Sequence, residues 1–261
     1  MNYRRRCILF YLIFLFMVVD GTILGQTKNM TAANQSLNNI LSSFVNSKGM
    51  VDYGSIQNNP FLLQPFIEFL AEKSPVSHPE IFPTEDDKKA YWINAYNGLM
   101  IKAVIENPGI SSVKQIGWGY GVFWRKKFMV GGEKLTLNHI EHKILRKQFD
   151  DPRIHFAINC ASNSCPPIGN RIVVGKNLDQ QLDQKTKDFI NNTENVQIDV
   201  KTKTIIISKI FKWYKADFEI NGNSLIDYIN NYKDGTKIDS SYDITFQDYD
   251  WGLNNQSQLN E

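Results

Sequence analysis

Two thiols, three imidazoles and a set of amide and hydroxyl side chains crowd into a short part of this 261-residue chain. Residues 153–167 read RIHFAINCASNSCPP and hold Cys160, Cys165, His155 and Asn159, with Ser162, Asn163 and Ser164 between the thiols. His139 and His142 lie just upstream, flanking Ile140 and Glu141. A cysteine beside histidines can serve as a nucleophile, because the reactive form is the thiolate and an imidazole or a positive environment favours it. Cys160 is the candidate nucleophile, with His142 or His155 as its base and Asn94 or Asn159 as an orienting or oxyanion-stabilising amide. Ile154, Phe156 and Ile158 alternate with His155 and Asn159, so a strand is predicted here. In a strand, His155 and Cys160 point to opposite faces, which favours His142 as the base.

Two other chemistries compete for the same residues. Cys160 and Cys165 can close a disulfide, but so small a loop removes little unfolded-chain entropy, so the bond would shape a loop rather than hold a domain. The three histidines and two thiols also make five possible zinc ligands. Four residues separate the thiols and no second close pair follows, which matches no standard zinc spacing. No metal and no other cofactor is specified.

Helices and hairpins must position these groups. Leu37, Ile40, Leu41, Phe44 and Val45 give a helix over 33–47, and Pro60 opens a second helical pattern. Thr84 caps a helix over 85–106 that is apolar almost all round and so is predicted to be buried. It carries Asn94 and Asn97, whose buried amides need partners: a neighbouring backbone, or a group in a site. The stretch 123–137 with Gly131-Gly132 at its centre is a hairpin signal. Asn138, with Glu141 three residues on, forms a capping-box pattern for the His142 helix. Residues 177–191 are helical, 196–207 form a second hairpin, and Ser208 caps a helix over 209–217. That helix carries Lys209, Trp213 and Tyr214, an amphipathic core pattern rather than a nucleic-acid stacking face. The fold class is α+β: one compact domain of helices on a small, mostly antiparallel sheet.

The ends carry a different signal. Arg4, Arg5 and Arg6 precede an apolar run of 13 residues, 7–19, broken by Asp20. This order reads as a signal peptide over 1–25 and places the protein in an exported compartment, periplasmic or secreted. The alternative is an anchor formed by an uncleaved N-terminal segment, although the run is shorter than the roughly 20 residues of a span. Without residues 1–25, Lys+Arg falls from 29 to 26 and Asp+Glu from 27 to 26, so the net charge of +2 becomes zero. Nucleic acid is therefore not an expected partner, and a small-molecule or peptide ligand is. No stable membrane span is expected in the mature chain. The Asn/Gln-rich end, 255–261, is predicted to be disordered.

Four segments together carry a resemblance: YWINAYNGLMI (91–101), LTLNHIEHKILR (135–146), the Cys160 stretch, and ISKIFKWYKADF (207–218), followed by DYDWGLN (248–254). In this order they resemble the Domain of Unknown Function 547 family. The resemblance implies a family domain over 84–254, preceded by a helical lead-in over 26–83. It implies shared positions at Asn94, Asn97, Glu141, His142, Arg146, His155, Asn159, Cys160, Cys165, Lys209, Trp213, Tyr214 and Asp217, and it brings no catalytic assignment. The activity it leaves open is read from the residues as thiol-dependent hydrolysis or acyl transfer on a peptide-like envelope substrate. The alternative is a non-catalytic binding or scaffold domain shaped by a Cys160–Cys165 disulfide.

Overall fold

The computed structural model describes residues 25 and 29–256, so the signal-peptide segment, its last residue apart, falls outside the described residues. The architecture is helical, with two small sheets. Helix α1 spans 29–44, followed by α2 (Tyr53–Asn58), α3 (Gln64–Glu72) and the central α4 (Glu85–Ile105). Thr84 caps α4 through a full capping box with Asp87, as its sequence predicts. Fourteen of the 21 residues of α4 are buried, which leaves it almost no outward face and makes it the axis of the main core.

After α5 (Gly121–Trp124) comes the hairpin β1 (Lys127–Val130) and β2 (Glu133–Thr136). The expected strand start at Phe123 is therefore helix. Gly131 and Gly132 both adopt positive φ, the conformation a two-residue turn of this kind demands. A Cβ on Gly131 would also lie 2.2 Å from the Ser74 hydroxyl.

The next helical stretch is not regular. Helix α6 (Leu137–His139) passes into a π turn over Ile140–Leu145 and returns to α geometry in α7 (Arg146–Phe149). Its cap is Thr136, whose hydroxyl accepts from the His139 amide, rather than the expected Asn138. The extra residue of a π turn offsets the side chains, a device frequent at functional sites. Glu141 and His142 lie within it.

The predicted strand at 154–159 is absent. Pro152–Phe156 is a 3-10 helix, started by Pro152 with preset φ and by Asp151, which accepts from the Arg153 amide. The alternation misleads because there is no polar face: His155 and Asn159 are buried like their apolar neighbours. The segment lies between two cores. Ile154, Ala157 and Ile158 pack into the main one, built on α1 to α4, while Phe156 packs into the second.

That second core forms from α8 (Leu178–Asn191), β3 (Val196–Asp199), β4 (Thr204–Ile207), α9 (Lys209–Trp213), α10 (Lys215–Phe218) and α11 (Leu225–Tyr232). The last strand, β5 (Asp243–Phe246), runs parallel to β4, while β3 and β4 are antiparallel. The lead-in is part of the same body, since Leu37, Ile40 and Phe66 share the main core with α4. Of the end predicted to be disordered, 255–261, only Asn255 and Gln256 are among the described residues, and both pack back onto the body. Buried Asn254 receives a hydrogen bond from Tyr53, and the Gln256 amide binds the Val51 carbonyl. Among the described residues no helix is long and apolar enough to cross a membrane.

Candidate functional site: a thiol pocket at the seam of two cores

The Cys160 loop is fixed from both sides. On the α4 side, Asn97 donates to the Ala157 carbonyl at 2.9 Å and accepts from the Asn159 amide at 2.8 Å. Asn159 in turn accepts from the Ala161 amide and donates to the Pro166 carbonyl, both at 2.8 Å. On the other side, residues 250–254 run along the loop. The Asn163 amide binds the Gly252 carbonyl at 2.8 Å, and the Asp250 amide binds the Ser164 hydroxyl at 2.9 Å. Ala161 is held at φ +58°, a left-handed conformation that costs energy for a residue with a Cβ. The sharp turn puts both thiols, each partly exposed, on one cavity of about 350 Å³.

Both cysteines are free thiols. The Cys165 sulfur accepts the Cys160 amide at 2.8 Å. The Cys160 sulfur lies 2.9 Å from the Ser162 hydroxyl and 3.1 Å from the Tyr249 hydroxyl, which themselves bond at 3.0 Å. Burial opposes ionisation of Cys160, but hydrogen bonds from Cys165, Ser162 and Tyr249 outweigh it and hold its thiol below the ordinary range. Burial and the neighbouring Cys160 push Cys165 well up. Burial and the two cysteines raise Tyr249 as well, so its phenol keeps the proton that it offers to the sulfur.

The imidazoles line the same cavity but are tied to other partners. His155 lies 2.7 Å from Asp217, and Asp217 receives two hydrogen bonds from Arg146, at 2.6 and 2.7 Å. Arg146 also contacts His142 Nδ1 at 2.8 Å. A guanidinium has only donors, so Nδ1 must accept and the proton of neutral His142 sits on Nε2. Burial lowers the pKa of His142, Glu141 opposes this, and the Arg146 and His155 charges lower it further. Neutral His142 thus presents its Nε2–H as a hydrogen-bond donor, while its Nδ1 is taken by Arg146. Tyr214 closes the group: its hydroxyl donates to Glu141 at 2.5 Å and its ring stacks on His155 with centroids 3.8 Å apart.

Aromatic rings make the walls. Trp213 and Trp251 each lie 4.7 Å from the Tyr249 ring, and Trp124 stacks near His142 at 6.3 Å. Glu141 is the one carboxylate or cation in the lining.

Residues 82–190 match the family described as "Protein of unknown function, DUF547". No curated protein and no solved structure matches the chain. The DUF547 segment supplies Asn97, Glu141, His142, Arg146, His155, Cys160 and Cys165, while Trp213, Tyr214, Asp217, Tyr249 and Trp251 come from beyond it. Not every residue picked from sequence meets at this cavity. Asn94 clamps the Val173 backbone, donating to its carbonyl at 2.8 Å and accepting from its amide at 3.1 Å, and it lines a second cavity instead. It therefore does not meet the thiols at this cavity. Lys209 pairs with exposed Asp248 at 3.4 Å and does not line the cavity, whereas Trp213 does. His139 is exposed. Among the described residues no three His, Cys, Asp or Glu side chains converge to hold a metal, so the five-ligand zinc set is not assembled.

Sequence reasoning gives Tyr249 and Asp217 no role in the chemistry. Asp217 sits 62 residues from His155 and Tyr249 sits 89 from Cys160. Their only sequence signal is their place in the ISKIFKWYKADF and DYDWGLN segments.

Proposed function

We propose that the DUF547 domain with its C-terminal walls is a thiol-dependent acyl-transfer enzyme, a hydrolase or transferase, with Cys160 as nucleophile. The observation that carries this reading is the Cys160 sulfur, open to a cavity and facing the Tyr249 hydroxyl, which itself accepts a hydrogen bond from Ser162. Donors aimed at a sulfur favour its thiolate, the form that attacks. The thiolate adds to an acyl carbon, the bond to the leaving group breaks, and a thioester forms on Cys160. His155, backed by Asp217, is arranged to carry the proton that the leaving group takes. His142 offers its Nε2–H to the developing oxyanion. Water or an acceptor nucleophile then releases the acyl group.

The wall chemistry suits a peptide-like acyl group that is apolar or aromatic and carries no negative charge, given Glu141. The same reading places the protein outside the cytoplasm, on the strength of Arg4 to Arg6 and the apolar run that follows. The test is intact-mass analysis of the reduced chain after incubation with a panel of aryl esters and thioesters of N-acyl amino acids. A hydroxylamine-labile adduct on Cys160, absent in Cys160→Ala, is expected. Absence of any adduct across the panel, or equal turnover by Cys160→Ala, overturns the reading.

A further inference from the structure

The second thiol has no part in acyl transfer, yet it is built into the same loop as the first. Cys165 Sγ is seated on the Cys160 backbone amide at 2.8 Å, which holds the two sulfur-bearing residues together across a four-residue turn. The turn is tight on its own account: Cys165 N–H binds the Ser162 carbonyl at 3.1 Å, and Ala161 is left-handed. A cysteine placed only to fill space would be as well served by alanine or serine, neither of which offers a soft acceptor to that amide and a second nucleophile to the cavity.

We propose that Cys160 is a site of reversible oxidation and that Cys165 is its resolving thiol. The Cys160 thiolate attacks one sulfur of a low-molecular-weight disulfide such as oxidised glutathione. The bond between the two glutathione sulfurs breaks, one glutathione leaves as thiolate, and a mixed disulfide forms on Cys160. Cys165 then attacks the Cys160 sulfur and expels the second glutathione, which takes the Cys165 proton. Two electrons pass from the cysteine pair to the glutathione disulfide, and reduced glutathione runs the steps backwards. The division of labour follows the geometry. Cys160 faces the Tyr249 hydroxyl, which favours a thiolate, whereas the Cys165 thiol directs its proton to the Ile158 carbonyl at 4.0 Å and keeps it until a neighbouring sulfur becomes electrophilic. The loop closed is too short to stabilise the fold through chain entropy, so the bond is easily surrendered to a reductant. Its consequence is local. A sulfur in a disulfide cannot attack an acyl carbon, so oxidation switches off the activity proposed above. In that respect the regulatory part of the inference rests on that reading, although disulfide formation itself does not.

The test uses the full chain equilibrated in a series of reduced-to-oxidised glutathione ratios, quenched by alkylation and mapped by mass spectrometry. The expected oxidised species is lighter by two hydrogens, protected from alkylation at both cysteines, and returns to the dithiol form in excess reduced glutathione. In Cys165→Ser the Cys160–glutathione adduct accumulates and is lost about tenfold more slowly than in the parent, because the resolving step is gone. Trp213 and Trp251, which pack on Tyr249, report the change by fluorescence in the parent but not in Cys165→Ser. The proposal is overturned if both cysteines stay open to alkylation at every ratio, or if the mixed disulfide persists equally in parent and variant. Acylation of the reduced protein is scored separately: a disulfide without acylation sinks the acyl-transfer reading alone, and acylation without a disulfide sinks only this one.

Discussion

Asn97→Ala tests how the nucleophile loop is held, with Asn94→Ala as its built-in control. Asn97 is 5% exposed and satisfies two backbone groups, the Ala157 carbonyl and the Asn159 amide. Truncation leaves both without that partner in the core. Each orphaned group costs about 1–3 kcal/mol, so the loss is about 2–6 kcal/mol, smaller where a water enters the vacated space. Against a typical domain stability of roughly 5–15 kcal/mol this is large but survivable at its lower end. Asn94 makes the same pair of bonds to Val173 from the same helix, so its truncation has a similar cost. The two variants part at the site. Asn159 is covalently next to Cys160, so Asn97→Ala slackens the turn that presents both sulfurs, while Asn94→Ala disturbs a loop that lines a different cavity. Denaturant unfolding gives the stability of each variant, and iodoacetamide at limiting concentration gives the rate at Cys160. Comparable destabilisation is expected, with the alkylation rate changed in Asn97→Ala alone. A cost below about 0.5 kcal/mol for Asn97→Ala, or equal alkylation in the two variants, refutes the clamp argument.

Four other outcomes follow from the same geometry. Tyr249→Phe removes a hydroxyl donor from the Cys160 sulfur; a hydrogen bond to a charged group contributes about 1.5–3 kcal/mol, so the thiol pKa rises and alkylation near neutral pH slows by about tenfold or more. An unchanged pH–rate profile would show that the phenol does not stabilise the thiolate. Arg146→Met removes a cation that depresses His142 while Glu141 and Asp217 remain, so the His142 pKa moves upward, and nitrogen NMR shifts should show its tautomer lock released. Stability should fall on acidification, with two groups acting in the same direction. His142 is depressed in the fold, so its contribution is full above its unfolded pKa of about 6.5 and fades as the unfolded chain takes up protons below it. Burial opposes ionisation of Asp217, but hydrogen bonds from His155 and Arg146 outweigh it and hold the carboxyl well below the ordinary range; its contribution is full above about 3.9 and is lost as pH drops further. Asp217→Asn should therefore flatten the acid limb of a denaturation series, and an unaltered limb would remove Asp217 from the account. Gly98→Ala puts a Cβ 2.3 Å from the Phe66 ring in the main core, so a loss of about 1–3 kcal/mol in unfolding free energy is expected despite the better helix propensity of alanine; a stabilised variant would mean that Phe66 has room to move.

What the sequence makes legible is what local rules govern. Thr84 with Asp87, Ser208 before α9, and Ser224 with Asp227 all cap the helices they precede. Gly131-Gly132 turns the hairpin expected of it. The all-round apolarity of α4 correctly signals burial, and its two asparagines do what buried amides ordinarily do. Failures arise where two environments meet. Residues 154–158 look like a strand because every second one is apolar, but they sit between two cores, and the intervening His155 is buried against Tyr214 rather than facing water. The π turn has no local signature in LTLNHIEHKILR, yet it sets where Glu141 and His142 point. Arg146 reaches His142 from four residues along the same stretch, but nothing near 160 announces Tyr249, because that contact depends on how distant segments close over the seam.

The seam also explains why the cavity draws its lining from both parts of the chain. Cys160, Cys165 and both imidazoles of the cavity lie within the 82–190 segment, on or beside elements of the main core. Of the aromatic walls, Tyr96, Tyr120, Phe123 and Trp124 come from the same segment, and Trp213, Tyr214, Tyr249 and Trp251 come from beyond it. One ion pair, Arg146–Asp217, spans this division, and it is also the group that orients both imidazoles. Docking the second core is therefore not only a packing event. Without Asp217, Arg146 loses its carboxylate and His155 its acceptor; without Tyr249, the Cys160 sulfur loses a donor. An isolated 82–190 segment would carry both thiols and both imidazoles but neither Asp217 nor Tyr249, so the proposed chemistry calls for the two-core body, larger than the family match.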